Sequence, residues 1–530
     1  MPRVGGTQPG RSDTESAQRS SERFRLARLA VVFGGVERGV AAAVSFARVP
    51  LLLWGLDLRD YGLWAAILGI VAAANLLDFG LHFGVVNAVS DSRGRDDREA
   101  VSGAIATAFV VYSIVSVTAA LVLVPLLSWV PLHAVIGAGE QDAVLVRNVA
   151  WVGFAGLILV MPLKVYAASL TGHQEQWVVS LFRSFQAVAQ LVALAVAFAV
   201  FHVGLLGVAW VGLVSDLLSA SLFGLWVERR RPGLRVRPGL ASRAQAPILL
   251  ATGAMFVTIN LANLAKTSFG STIVSYGRGP EAVASLSVPL GLFTIALGLA
   301  SMIAVSLWPA YGEAAARGEW GWIDRAFTLG SKASLCVAAA FAVLGTFFGA
   351  DVIRLWAPKA GIPGPALVTS LGVWLVAQAG VNAAATLLNG MGRLRVVAIC
   401  CVIEGLMVVS ASLVVVRAWG ANGVAHAMAL AGVANAAFLL FVAVPSETGR
   451  RIGSPVAMLG RLALCIAAAS AIAGCASIAL AEARPLVRLF AGAGPVAASL
   501  AALFWTVLLT PAERVRLTSA WSRHSAPGVA

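Results

Sequence analysis

Trp64-Ala-Ala-Ile-Leu-Gly-Ile-Val-Ala-Ala-Ala-Asn-Leu-Leu-Asp78 carries no charged side chain before its last residue. A helix that crosses a bilayer needs roughly 20 predominantly apolar residues, and about fourteen stretches of this kind follow one another along the chain. Their approximate centres are Ala42, Ala74, Val115, Gly156, Leu191, Leu213, Met255, Thr294, Ala338, Leu375, Met407, Leu430, Ala469 and Leu500. The fifth and sixth are parted only by a tight turn near His202–Gly204, and the eleventh and twelfth part at Gly420–Gly423. Composition agrees: 59% of the 530 residues are hydrophobic, 12% are charged, and the mean hydropathy is +0.85. Soluble domains carry about twice that share of charge. So apolar a chain cannot cover its own surface with polar groups, and lipid is its solvent.

The net charge of +14 does not indicate nucleic acid, because the basic residues are distributed between apolar segments. They alternate in density. One side carries Arg3 to Arg28, Arg93, Arg95 and Arg98, the cluster Arg229 to Arg243, Arg317 and Arg325, Arg393 and Arg395, Arg450 and Arg451, and Arg514 and Arg516. The other side holds Arg59, Arg147, Arg278, Arg354, Lys359, Arg417, Arg484 and Arg488. The positive-inside rule makes the first set cytoplasmic, with both termini inside. Residues 1–24 are polar and read as a disordered tail, with no short apolar core and cleavage site of a signal peptide. The longest outer loop, Trp129 to Val144, is too short to fold as a domain.

The chain repeats itself. Ala168-Ser-Leu-Thr-Gly172 parallels Thr386-Leu-Leu-Asn-Gly390, Gly204-Leu-Leu-Gly207 parallels Gly420-Ala-Asn-Gly423, and Arg93-Gly94 parallels Arg317-Gly318. The three offsets agree at about 220 residues, which implies two six-helix lobes related by a parallel pseudo-twofold axis along the membrane normal. The expected organisation is a first lobe at 25–228, a basic linker at 229–242, a second lobe at 243–446, two C-terminal helices at 447–512 and a cytoplasmic tail at 513–530. This is an all-α integral membrane plan with the substrate site between the halves.

Ionisable groups at membrane depth are costly and point to a lined cavity. The first stretch carries Glu37, Arg38 and Arg48; Glu37 and Arg48 share a face at ~100° per residue. The second carries Asn75, Asp78 and His82, an i, i+3, i+7 stripe. The seventh carries Asn260, Asn263, Lys266, Thr267 and Ser271, and the tenth carries Gln378 and Asn382 at i, i+4. The repeat brings Arg48 onto Lys266, so two cations would face an anion across the axis. Plainer readings stand beside these. Arg48 also suits snorkelling to the interface, Arg38 suits neutralisation by Glu37, and Asp78 with His82 suits helix capping as well as proton coupling. Lys164 and Arg183 read as topology anchors, and Asp216, Glu404 and His426 as single polar residues in helix contacts.

No Gly-rich phosphate loop followed by Lys-Ser/Thr, no His/Glu zinc motif and no Gly-x-Ser-x-Gly elbow is present. The five cysteines lack metal-ligand spacing. Neither an enzyme nor a resident cofactor or metal is expected.

Tyr61-Gly-Leu-Trp64 after Leu58-Arg-Asp60, Leu77-Asp-Phe-Gly-Leu81, Leu307-Trp-Pro-Ala-Tyr311, Glu313-Ala-Ala-Ala-Arg-Gly318 and Leu388-Asn-Gly390 follow in an order that resembles one family. It is the O-antigen and exopolysaccharide flippase branch of the multidrug/oligosaccharidyl-lipid/polysaccharide exporter superfamily. The resemblance implies an oligosaccharide on undecaprenyl pyrophosphate as substrate and alternating access around a cationic cavity. It implies Arg38, Arg48 and Lys266 as anion contacts, and the last two helices as a groove for the polyprenyl tail. Proton or sodium are the candidate coupling ions, with Asp78 and Glu404 the candidate coupling residues. Polysaccharide polymerase and chain-length proteins are the candidate protein partners. The rivals are a multidrug/cation antiporter and a lipid II flippase of the same superfamily. A membrane polymerase or ligase is disfavoured by the short outer loops.

Overall fold

The structure is a computed structural model and describes residues 11–74, 81–94, 97–247, 269–450, 452–453, 455–511 and 513–515. Among the described residues every regular element is a helix. Among the described residues, ten segments are long and apolar enough to cross a membrane. One of them, Leu394–Thr448, holds both the eleventh and the twelfth stretch. The first and second stretches form Arg11–Gly55 (α1) and Leu58–Ala74 (α2), and the seventh falls largely outside the described residues.

Two compact units are present. The first consists of 1–51, 74–131 and 144–257, and the second of 52–73, 132–143 and 258–530. The first holds Leu81–Gly94 (α3), Arg98–Trp129 (α4), Ala143–Val160 (α5, most of it), Lys164–Gly172 (α6), Gln176–Phe201 (α7) and Leu205–Arg230 (α8). Local chemistry sets their ends. Asp97 caps α4 by accepting from the Ala100 amide at 2.9 Å, and Glu99 in the first turn complements the helix dipole. His202 takes a left-handed conformation (φ 48°), so α7 stops and α8 starts three residues later as a tight hairpin. The core gathers Leu81, Val85 and Val89 of α3, Ile105 and Tyr112 of α4, and Met161, Val165 and Phe223.

The second unit holds α2, Phe269–Arg278 (α9), Val283–Ser306 (α10), Trp308–Ala316 (α11), Trp320–Trp356 (α12), Pro365–Gly390 (α13), Leu394–Phe438 (α14), Pro455–Ala479 (α15) and Gly494–Leu503 (α16). α13 is its central helix: 78% of its most apolar stretch is buried, against 17% for α7 in the first unit. Within α14 the backbone breaks at Gly420 (φ 56°, ψ −137°), where the sequence parts its eleventh and twelfth stretches.

The repeated Gly-ended motifs have like surroundings in their own units. A Cβ on Gly172, the last residue of α6, would come within 2.8 Å of Val89 on α3. A Cβ on Gly390, the last residue of α13, would come within 2.7 Å of the Trp308 carbonyl on α11. In each case a helix closes against the short helix preceding an arginine-bearing loop, with no room for a side chain.

Candidate functional site

In the first unit the polar side chains of α1, α7 and α8 converge. Arg183 of α7 approaches Glu37 of α1 at 3.6 Å. Gln186, one turn further on α7, donates to Asp216 of α8 at 2.9 Å. Arg48 of α1 is half-buried and lies within electrostatic reach of the same Asp216. Arg38 is exposed and His82 on α3 is half-buried. Glu37 and Arg48 are eleven positions apart, which separates them by roughly 16 Å along the helix. Glu37 near the middle of α1 and Arg48 toward its C-terminal end thus each face an oppositely charged residue, on α7 and α8 respectively.

Sequence reasoning found Glu37 and Arg48 and assigned Arg183 to topology and Asp216 to isolation. It passed over Gln186. A signal was present: Arg183 and Gln186 stand at i, i+3 on an otherwise apolar helix, so they share a face.

In the second unit Gln378, Glu404 and Asn435 satisfy each other. Gln378 of α13 donates to Glu404 of α14, and Asn435 of α14 donates to the other oxygen of Glu404 at 2.6 Å. Glu404 is 1% exposed. Asn382, one turn beyond Gln378, turns to α10 and donates to Ser301 at 2.8 Å. Gln378 and Asn382 share a face, as their spacing requires, and serve two different helix contacts. An apolar cavity of about 500 Å³ opens among α12, α13, α15 and the turn after α14, lined by Val343, Phe347, Val376, Phe441, Leu459 and Ile466.

Asn75, Asp78, Asn260, Asn263 and Lys266 lie outside the described residues. Among the described residues no three His, Cys, Asp or Glu side chains are grouped to hold a metal.

No curated protein matches the sequence. Solved structures do match in fold. An inward-facing multidrug resistance MATE family transporter of the MOP superfamily aligns with a TM-score of 0.68 and 16% identity, over 79% of this chain and 98% of that one. The lipid II flippase MurJ, in an inward closed conformation, aligns with a TM-score of 0.67 and 12% identity, over 90% and 99%. A MOP superfamily transporter from Pyrococcus furiosus, described as having a binding pocket of reverse polarity, aligns with a TM-score of 0.56 and 18% identity, over 76% and 93%. At these identities the likeness is one of fold. A family profile described as polysaccharide biosynthesis protein matches residues 38–314, more than half of the chain, and the chain belongs to that family.

Proposed function

We propose that this protein is a flippase for a lipid-linked oligosaccharide. It moves an undecaprenyl-pyrophosphate-linked glycan from the cytoplasmic to the outer leaflet of the bacterial inner membrane, for O-antigen or exopolysaccharide assembly. The observation that carries the reading is membership of a polysaccharide biosynthesis family by a chain whose fold is that of MOP superfamily transporters.

The physics of the task fits the residues. A glycosyl pyrophosphate cannot cross hydrocarbon, because each polar group without a partner costs several kcal/mol there. Cations at membrane depth lower that barrier for the anionic headgroup. Arg38 and Arg48 on α1, with Lys266, are the proposed anion contacts. Glu37, Asn75, Asp78, His82, Asn260, Asn263, Gln378 and Asn382 are the proposed polar lining. The apolar cavity beside α15 suits a polyprenyl chain, which gains by staying among apolar side chains. Alternating access of the two six-helix repeats supplies the transfer. Proton or sodium coupling falls to Asp78 or Glu404, and the polymerase and chain-length proteins are the proposed partners at the outer face.

A strain lacking the gene tests the reading. Intact lipid-linked oligosaccharide should accumulate on the cytoplasmic leaflet and clear when the gene is restored. Unchanged surface glycan with raised sensitivity to cationic drugs would favour the antiporter.

A further inference from the structure

Two segments that the sequence repeat assigns to the first half, 52–73 and 132–143, are built into the second compact unit. The first holds the end of α1 and nearly all of α2, and the second the loop between α4 and α5. There they meet the end of α9 and the turn Pro280–Ala282 in unusually close contact. A Cβ on Gly62 would sit 1.8 Å from the Pro280 carbonyl oxygen. Gly137, at φ 67°, would place a Cβ 2.4 Å from the Ser275 carbonyl oxygen. Ser275, fully buried, donates through its hydroxyl to the Ile136 carbonyl. Thr272 donates to the Ala66 carbonyl at 3.0 Å. Over these contacts lies an ion pair: Arg59 donates to Asp142 at 2.6 Å, and its Nε stands 3.8 Å from the Glu281 carboxylate.

We propose that these contacts form the gate on the face opposite the arginine-rich loops, closed in this structure, with Arg59 as its latch. Their chemistry suits a seal that opens. Hydrogen bonds to carbonyls and a half-exposed ion pair break and reform at small net cost, because water replaces each partner. Gly62 and Gly137 allow two backbones to come together without side chains between them, so the closed state is tight although its bonds are few. Arg59 spans both partners at once: Asp142 belongs to the loop between the third and fourth stretches, and Glu281 to the loop that follows α9. The inference rests on the alternating access of the proposed function, since a glycan released on that face must pass between these segments.

The test uses the full chain in right-side-out membrane vesicles, with the five native cysteines replaced by alanine and Ser275→Cys as reporter. This change is nearly isosteric and keeps a weak donor. A membrane-impermeant maleimide should label Cys at 275 slowly when the latch is intact. Arg59→Gln or Asp142→Asn should speed labelling about two- to fivefold, the equivalent of a surface ion pair. Gly62→Val, which forces a side chain against a carbonyl, should speed it about tenfold or more. Exchanging the charges, Arg59→Asp with Asp142→Arg, should restore protection that Arg59→Asp alone removes. Equal labelling in the parent, Asp142→Asn and Gly62→Val would overturn the gate. The readout needs no oligosaccharide, so a failed gate leaves the flippase reading to the leaflet assay, and a failed leaflet assay leaves the labelling result standing.

Discussion

The two compact units treat membrane-depth polarity in opposite ways. In the first, Glu37 and Arg183 keep 21% and 51% of their side chains exposed at a separation of 3.6 Å, and Arg48 is half-buried within reach of Asp216. In the second, Glu404 is 1% exposed and each of its oxygens is taken by an amide from Gln378 or Asn435. A carboxylate filled by fixed donors holds two helices together, and disturbing it is costly because each amide left behind is buried. The same residue types thus stand in partly exposed acid–base approaches in one unit and in a closed hydrogen-bonded network in the other.

Four experiments break or sharpen that contrast. The largest effect is expected for Arg48→Gln: reconstituted translocation should fall about tenfold or more, equivalent to ~1.4 kcal/mol or more of headgroup binding, while the unfolding midpoint stays near that of the parent. Glu404→Ala should behave in reverse. It leaves the amides of Gln378 and Asn435 without an acceptor, at about 1–3 kcal/mol each, and the loss should appear in chemical unfolding in detergent.

Lys332 sharpens the contrast, because it is a cation of the second unit that is already spoken for. It is 6% exposed and gives Glu513 two hydrogen bonds, at 2.8 and 2.9 Å. Burial alone would push the Glu513 carboxyl up; Lys332 and the Thr510 amide and hydroxyl outweigh it and hold the group below its ordinary range. A carboxylate depressed in the folded state stabilises above its unfolded pKa and loses that contribution as pH falls through the lowered value. Proteolysis of the chain after α16 should therefore be constant near neutrality and rise in acid below the usual carboxylate range, and Glu513→Gln should flatten the profile. The smallest effect is expected for Arg183→Gln, whose long, half-exposed contact with Glu37 is worth less than about 1 kcal/mol in a thermal melt.

Much of this was legible before any coordinates. The apolar stretches follow from length, and the turn at His202–Gly204 and the break at Gly420–Gly423 from glycines that interrupt them. The equivalence of Gly172 and Gly390 followed from a five-residue motif, and the structure gives its cause, a helix end with no space for a Cβ. Helical period also placed Gln378 with Asn382 and Glu37 with Arg48 on common faces. The partner across each face was not legible. Which helix meets which is decided by tertiary packing, so from sequence Arg183 reads as a topology anchor and Asp216 as a single polar residue, and only the packing brings both toward α1. For the same reason nothing in residues 52–73 or 132–143 announced that they pack with α9 and the turn after it.

The most direct measurement of the central claim is binding of a polyprenyl-pyrophosphate oligosaccharide to the purified full chain, against the same glycan on a neutral lipid, for the parent and Arg48→Gln. The account predicts tighter binding of the pyrophosphate form, weakening with added salt and largely lost in Arg48→Gln. Equal binding of both lipids, or pyrophosphate binding unchanged in Arg48→Gln, would contradict it.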